Sequence, residues 1–218
     1  MVAVKIPDEQ CFVLYNADWD TYATFSDRLG NCGVRCNYDG VNLELMKVSP
    51  EHEQARNLLA SLLSLLTQGM NIDIEDAGSM ICRRQDLGQG FEPDVCYWIA
   101  HKAQVSGRKK IDLTRDPPPD LMLEIEISRS HLNRMAIAAR LGILEMWCWD
   151  GETLRFMLLR PNGKYSKTQR SRALPFLTVS ELQPFLHPDV TQSKMTWMQK
   201  VMEWMGQKKV RGGRRSTT

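Results

Sequence analysis

The stretch "PPPDLMLEIEIS", residues 117–128, has the pattern of a buried β-strand that carries two glutamates. Apolar residues alternate with Met122, Glu124, Glu126 and Ser128, and successive side chains of a strand point to opposite faces of a sheet. We therefore expect Glu124 and Glu126 side by side on one face, where like charges raise each other's pKa. One solvated sheet face would explain this pair without any function. The rest of the chain must show whether the two glutamates are surface residues or part of a functional site.

Length and composition predict a single soluble domain over residues 1–206. The chain has 218 residues, of which 43% are hydrophobic, enough for one sizeable core. The longest apolar stretch, residues 58–66, is far shorter than the ~20 residues that cross a membrane. The first ten residues lack the apolar segment of a secretory signal, and the six cysteines show no metal-type spacing. We expect a cytoplasmic protein with reduced thiols.

Positive charge is concentrated at the end of the chain. The net charge is +2, and the last twelve residues carry five basic residues and no acid. The remaining 23 of the 28 basic residues face 26 acidic ones, so the body is close to −3. Residues 207–218 lack apolar periodicity and are predicted to be a disordered basic tail, either a solubilising terminus or a phosphate-binding arm.

Apolar periodicity and turn residues predict an α/β fold, a mixed β-sheet flanked by helices. A hairpin is expected to turn at Asp39-Gly40, and a capping box at Thr178 and Glu181. The predicted helices cover 18–29, 49–69 (capped by Ser49, ended by Gly69), 130–142 (capped by Ser130) and about 193–207. The predicted strands cover 70–75, 79–82, 94–99, 120–128, 144–150, 153–160 and 163–169.

Three carboxylates are candidates for a metal site. Asp94 opens a strand directly after Pro93, and Glu124 lies in the next strong strand. If these strands are neighbours, Asp94, Glu124 and Glu126 can converge, and they cannot all stay ionised in a half-buried place without compensation. Oxygen ligation of Mg²⁺ or Mn²⁺ would supply that compensation. Such a metal polarises a phosphoryl oxygen and activates water, which points to phosphate chemistry.

Four segments of the chain resemble one known family. They are "YDGVNLELMKVSPEHEQARNLLASLL" (38–63), "EPD" (92–94), "PPPDLMLEIEISRSHLNRMAIAARLGILEMWCWDG" (117–151) and "SRALPFLTVSELQPFL" (171–186). Together they are similar to the Uma2 (DUF820) family of restriction-endonuclease-like proteins, in the PD-(D/E)XK nuclease superfamily, over roughly residues 18–205. The resemblance implies a restriction endonuclease-like core and a metal-dependent phosphodiesterase site.

The same resemblance implies residue roles. Asp94 matches the motif Asp and Glu124 the motif (D/E), so both would bind Mg²⁺. Glu126 stands where the superfamily usually has Lys, which positions the attacking water and stabilises charge on the phosphate. Two interpretations stay open: Glu126 is an extra metal ligand or water-activating base, or Arg134 on the following helix supplies the displaced positive charge. Arginine is the weaker substitute if a proton must move.

Further residues have two interpretations each. Glu44 is either another acid near the metal or a solvated hairpin residue, and His52 either lines the site or is exposed in a first helical turn. Several basic residues are either phosphate contacts or ordinary solvated side chains: Arg83, Arg84, Arg108, Lys109 and Lys110.

Two functions from different classes follow. The first is a Mg²⁺-dependent DNA endonuclease in which water attacks the phosphorus in line. The second is a catalytically degenerate nucleic-acid-binding or regulatory protein on a nuclease fold, which the missing motif lysine favours. DNA is the expected partner and a homodimer is an open alternative. The sequence shows no separate recognition motif, so the DNA target cannot be derived from it.

Overall fold

The computed structural model describes residues 10–29, 32–127, 130–189 and 191–213, with side chains described as far as residue 209. Within these ranges the strands are β1 Gln10–Leu14, β2 Val34–Tyr38, β3 Leu43–Lys47, β4 Glu75–Gly78, β5 Cys82–Arg84, β6 Gln89–Phe91, β7 Val95–Trp98, β8 Leu121–Ile125, β9 Glu145–Trp149, β10 Leu154–Leu159 and β11 Tyr165–Thr168. The helices are α1 Trp19–Leu29, α2 Pro50–Met70, α3 Lys102–Val105, α4 Arg134–Arg140, α5 Val179–Leu182 and α6 Lys194–Gly213. Short 3₁₀ turns occupy Gln85–Leu87 and Gln183–Leu186.

The described strands form two sheets. A six-stranded mixed sheet has the order β11-β10-β9-β8-β7-β4, in which β8 and β9 run parallel and the other pairs antiparallel. A five-stranded antiparallel sheet has the order β1-β3-β2-β6-β5. The predicted mixed sheet flanked by helices is confirmed. The sequence did not predict the second sheet, because β5 and β6 are three residues long and show no measurable alternation.

Helix α2 covers one face of the mixed sheet. Ser49 caps it as predicted, since its hydroxyl accepts a hydrogen bond from the backbone N of His52 at 3.1 Å. Leucines spaced at helical intervals are buried against alternate residues of β8, and burying each one contributes about 1.5–3 kcal/mol. They are Leu59, Leu62, Leu63 and Leu66, against Leu121, Leu123 and Ile125.

The predicted end of α2 at Gly69 is one residue too early. The helix continues to Met70, and Asn71, with φ 55°, takes the left-handed conformation that ends it. Gly69 has another role, because a Cβ there would lie 3.3 Å from the side chain of Met205. The glycine therefore permits the close approach of α6 to α2.

Helix α4 starts later than predicted. It begins at Arg134, and the side chain of Asn133 caps it by accepting from the backbone N of Ala136 at 3.0 Å. Ser130 is not the cap, since its hydroxyl donates to the carboxylate of Glu44 at 2.9 Å. The predicted strand over 70–75 is also displaced, because β4 begins only at Glu75.

Helix α6 extends to Gly213, beyond the end predicted near residue 207. Lys208 lies within the segment predicted to be a tail, yet it pairs with Glu181 and lies 5.1 Å from the ring centre of Trp204. Glu181 also completes the predicted capping box with Thr178, which is confirmed. Residues 214–218 lie outside the described residues, so their disorder stays a prediction. Among the helices described, none is long and apolar enough to cross a membrane.

Candidate active site

Asp94 lies directly before β7, opposite Glu124 on the neighbouring strand β8. Strand β7 pairs with β8 antiparallel, with Val95 opposite Leu123, and one further step of this register places Asp94 opposite Glu124. The backbone N of Ile125 donates to Asp94 Oδ2 at 2.6 Å. Both acids are buried, with 0% and 1% of their surface exposed. The prediction that their strands are neighbours is confirmed, and the solvated-face interpretation of Glu124 is wrong.

Asp94 is held by two cationic or polar side chains from other elements. Arg35 on β2 donates from Nη1 to Asp94 Oδ1, and His52 Nε2 lies 2.6 Å from the same oxygen. Arg35 Nη2 also lies 3.5 Å from Glu53 Oε1. Burial alone would raise the pKa of Asp94, but the hydrogen bond from His52 and the charge of Arg35 outweigh it and lower this pKa to about 2. Asp94 is therefore ionised near neutral pH.

Glu124 has the opposite environment. Its Oε2 lies 3.2 Å from Arg134 Nη1, but the orientation makes no hydrogen bond. Among the residues that the structure describes, neither carboxylate oxygen of Glu124 has a hydrogen-bond partner. Burial raises the pKa of Glu124 to about 8, since the opposing charge of Arg134 is too weak to compensate and the charge of Asp94 adds to the rise. Two buried carboxylate oxygens without a hydrogen bond are an unusual cost in a folded protein.

Glu126 lies at the rim rather than beside Asp94. It follows the end of β8, and its backbone N donates to Trp149 O at 2.7 Å. Its carboxylate forms an ion pair with Arg155, which also lies 3.0 Å from Asp150 Oδ2. The charge of Glu126 still contributes to the raised pKa of Glu124. The predicted role of Glu126 as a ligand or base stays a prediction.

Two residues with alternative interpretations are now placed. Glu44 is fully buried, so the solvated interpretation is wrong. Its carboxylate accepts from Asn37 Nδ2 at 3.1 Å and from the backbone N of His131 at 2.6 Å, which ties β3 to the segment before α4. The interpretation of His52 as exposed is also wrong, because the side chain is buried against Asp94.

Sequence reasoning missed Arg35 and Arg155. On β2, Arg35 and Asn37 alternate with Cys36 and Tyr38, so two polar side chains share one face of a strand that turns out to be buried. That alternation could have identified Arg35 as a candidate site residue. Arg155 on β10 lies opposite Cys148 on β9, which in turn lies beside Glu124. Its place next to the acids follows from strand order alone, and no local pattern could reveal it.

The donor set fits a hard divalent cation. Within the described ranges, no group of three or more His, Cys, Asp or Glu side chains is arranged to hold a metal ion. Mg²⁺ seldom needs such a group, because it is usually bound by one or two carboxylates together with waters and substrate phosphates. Asp94 and Glu124 supply two adjacent carboxylates, and the oxygens of Glu124 lack protein hydrogen bonds.

Comparisons with known proteins identify the family of the chain. A family model described as "Uma2: Putative restriction endonuclease" matches residues 22–194. The chain belongs to the Uma2 family, which confirms the resemblance noted in the sequence. A solved structure of a "putative nuclease belonging to DUF820" from Anabaena variabilis ATCC 29413 is similar over 78% of this chain and 90% of that chain, with 12% sequence identity and a TM-score of 0.45. No curated protein matches the chain.

Proposed function

We propose that this protein is a Mg²⁺- or Mn²⁺-dependent endonuclease that hydrolyses phosphodiester bonds of DNA in the cytoplasm. One observation carries the proposal: Glu124 is buried opposite Asp94 with two carboxylate oxygens that receive no hydrogen bond from any described residue. A carboxylate in this state is stabilised by a cation. Membership of a family whose model is described as "Putative restriction endonuclease" supports phosphodiester hydrolysis as the chemistry.

Asp94 and Glu124 are the residues that would hold the metal. A bound Mg²⁺ would polarise the phosphoryl oxygen and lower the pKa of a water molecule. Asp94 can serve as a ligand because Arg35 and His52 keep it ionised and fix its orientation. Among the described residues, its Oδ2 accepts a hydrogen bond only from Ile125 N. Glu124 must lose a proton to bind a cation, since burial raises the pKa of its carboxyl to about 8.

Arg134 is the residue that best replaces the missing motif lysine. Its guanidinium is nine-tenths buried and lies against Glu124, so its positive charge is present where negative charge would develop on the phosphate. Arginine stays protonated and cannot deliver a proton. Arg134 therefore acts through charge, and any proton transfer falls to water or to Glu126.

A second function has its own supporting observation. Both oxygens of Asp94 accept hydrogen bonds from the protein, and Glu126 is ion-paired with Arg155. Protein groups thus satisfy two of the three acids, and these two need no metal for their stability. This arrangement favours a degenerate protein that binds nucleic acid without cleaving it.

Metal binding tests the first requirement. Calorimetric titration of Mn²⁺ into the metal-free protein should show one site in the wild type and none in Asp94→Ala or Glu124→Gln. Glu152→Gln is the matched control, because Glu152 is exposed outside the site. Wild-type protein that binds no Mn²⁺, or binding that survives Glu124→Gln, would overturn the proposed site.

Cleavage separates the two functions. Supercoiled plasmid incubated with the wild type and Mn²⁺ should be nicked, and Glu124→Gln should reduce the rate by at least about a hundredfold, as loss of an electrostatic group at a reacting phosphate does. Arg134→Lys should retain more activity than Arg134→Met if the charge is what matters. Plasmid left intact by a protein that binds both Mn²⁺ and DNA would establish the non-catalytic alternative.

A further inference from the structure

A cleft on the face of the molecule formed by α1 and β5 combines an apolar floor with a basic rim. Its volume is about 790 Å³, and three segments distant in sequence line it: one face of α1, the connection from β4 to β5, and the loop over 108–114. Trp19, Ile81 and Ile111 contribute apolar surface. Arg83, Lys109 and Lys110 contribute positive charge, and we call this the basic cleft.

The basic side chains of the rim differ in whether they form an ion pair. Arg83 is paired with Asp27 across the cleft at 2.8 Å. Lys109 and Lys110 are exposed and have no ion-pair partner among the described side chains. Asp112 also lines the cleft, but its carboxylate lies 3.9 Å from Arg115 Nε and accepts from Thr114 Oγ1 at 2.7 Å. The two lysines therefore give the rim unneutralised positive charge, which attracts phosphate.

The apolar floor favours an unpaired base over a nucleic-acid duplex. The phosphate backbone of a duplex would contact only the rim, since its bases are stacked inside the helix. An unpaired base can enter a concave apolar site and lie against an aromatic ring while its phosphates stay at a basic edge. Trp19 is partly buried, and its ring packs edge-on against Tyr22 at 5.1 Å and against Tyr38 at 6.1 Å between ring centres. The volume is within the range of sites that hold a small ligand.

The cleft is linked to the acid pair through the chain. Arg83 on β5 lies opposite Gly90 on β6, and β6 leads within a few residues to Asp94. Gly90 allows Tyr22 to pack directly on this strand, since a Cβ there would lie 2.1 Å from the ring. Trp19 of the basic cleft and the strand β6, which precedes Asp94, are thus parts of one packed unit.

We propose that the basic cleft binds an unpaired nucleotide of single-stranded nucleic acid, with the base on the Trp19 side and the flanking phosphates at Lys109 and Lys110. The choice of ligand rests on the proposed function. The inference extends that function by giving it a substrate class, nucleic acid with an unpaired segment, and a binding site separate from the acids.

Fluorescence anisotropy in EDTA tests the proposal without any cleavage. Labelled oligothymidylate should bind the wild type at least about tenfold more tightly than a duplex of equal length or a strand of abasic sugars, because both lack an accessible base to stack. Lys109→Ala combined with Lys110→Ala should weaken oligothymidylate binding and lower the salt slope by about 1.4, the value for two lost contacts on a single strand.

The matched control is Lys164→Ala combined with Lys167→Ala, which removes the same charge from exposed positions of the β10–β11 hairpin. It should leave affinity and salt slope unchanged. Equal affinity for oligothymidylate and abasic strand, or equal losses in cleft and control variants, would overturn the proposal. Because these measurements need neither metal nor turnover, binding at the cleft and failure of the proposed cleavage can be told apart.

Discussion

Asp94 and Glu124 are neighbouring buried carboxylates, yet their surroundings push their pKa values in opposite directions. Asp94 accepts hydrogen bonds from Arg35, His52 and the backbone of Ile125, and its pKa falls to about 2. Glu124 lies against the single guanidinium of Arg134 without a hydrogen bond, and burial raises its pKa to about 8. A pair of acids with separated pKa values is a common feature of catalytic sites.

The difference shows that a nearby positive charge is not sufficient to keep a buried acid ionised. Both acids have an arginine within reach, but only Asp94 has hydrogen bonds directed at its oxygens. Directed hydrogen bonds replace the lost hydration of a carboxylate, whereas an unaligned charge does so only in part.

The largest loss of unfolding free energy should come from Arg35→Met. It leaves Asp94 ionised and buried with one main partner removed, and breaking such a pair costs about 3–5 kcal/mol. Arg134→Met should cost clearly less, because Glu124 can protonate near neutral pH. Urea denaturation at pH 7 measures both. Equal losses of unfolding free energy would mean that the two acids are equally ionised. Arg56→Met, which removes a partly exposed pair with Glu53, is the control.

A smaller loss of unfolding free energy should come from His52→Leu. It removes a hydrogen bond to a charged carboxylate, worth about 1.5–3 kcal/mol. The lowered pKa of Asp94 contributes stability that is present above the unfolded value of 3.8 and is lost as pH falls through about 2. The variant should therefore lose less stability over that acid range than the wild type. His52→Gln, which keeps a donor, should behave more like the wild type in the same melts.

Glu124→Gln should have the opposite sign. The raised pKa means that folding binds a proton, so wild-type stability falls as pH rises from 4.5 toward 8. Glutamine keeps the shape and removes this cost, so we expect a gain on the order of 2 kcal/mol near pH 8 and none near pH 4.5. Thermal melts in EDTA at both pH values measure it. A loss of stability at pH 8 would show that Arg134 holds Glu124 ionised.

Local patterns predicted the acids better than their partners. Asp94 and Glu124 were found because strand alternation and the motif spacing are properties of one short segment each. Arg35 and Arg155 come from β2 and β10, and only strand order brings them to the acids. Glu44 and His52 had two interpretations in the sequence, since a hairpin residue and a first-turn histidine are exposed unless another layer covers them. Glu44 belongs to the second sheet itself, and the segment before α4 covers it, since Ser130 Oγ and the backbone N of His131 donate to its carboxylate.

The smallest effect on stability should come from Glu126→Gln, and it bears on how far the contrast between Asp94 and Glu124 extends. The ion pair of Glu126 with Arg155 is partly exposed, with side-chain exposures of 27% and 25%, so its loss should cost less than about 1 kcal/mol.

Activity should separate the two interpretations of Glu126. If it is a metal ligand or base, Glu126→Gln should reduce Mn²⁺-dependent cleavage much more than stability, while Arg155→Met should leave cleavage largely intact, because Arg155 does not bind the metal. If Arg134 alone replaces the motif lysine, Glu126→Gln should cleave nearly as fast as the wild type, and only Arg134→Met should fail. A large loss of cleavage in Glu126→Gln together with full activity in Arg134→Met would contradict the role of Arg134 as the replacement for the motif lysine. The decisive group would then lie at the rim of the site and not beside Glu124.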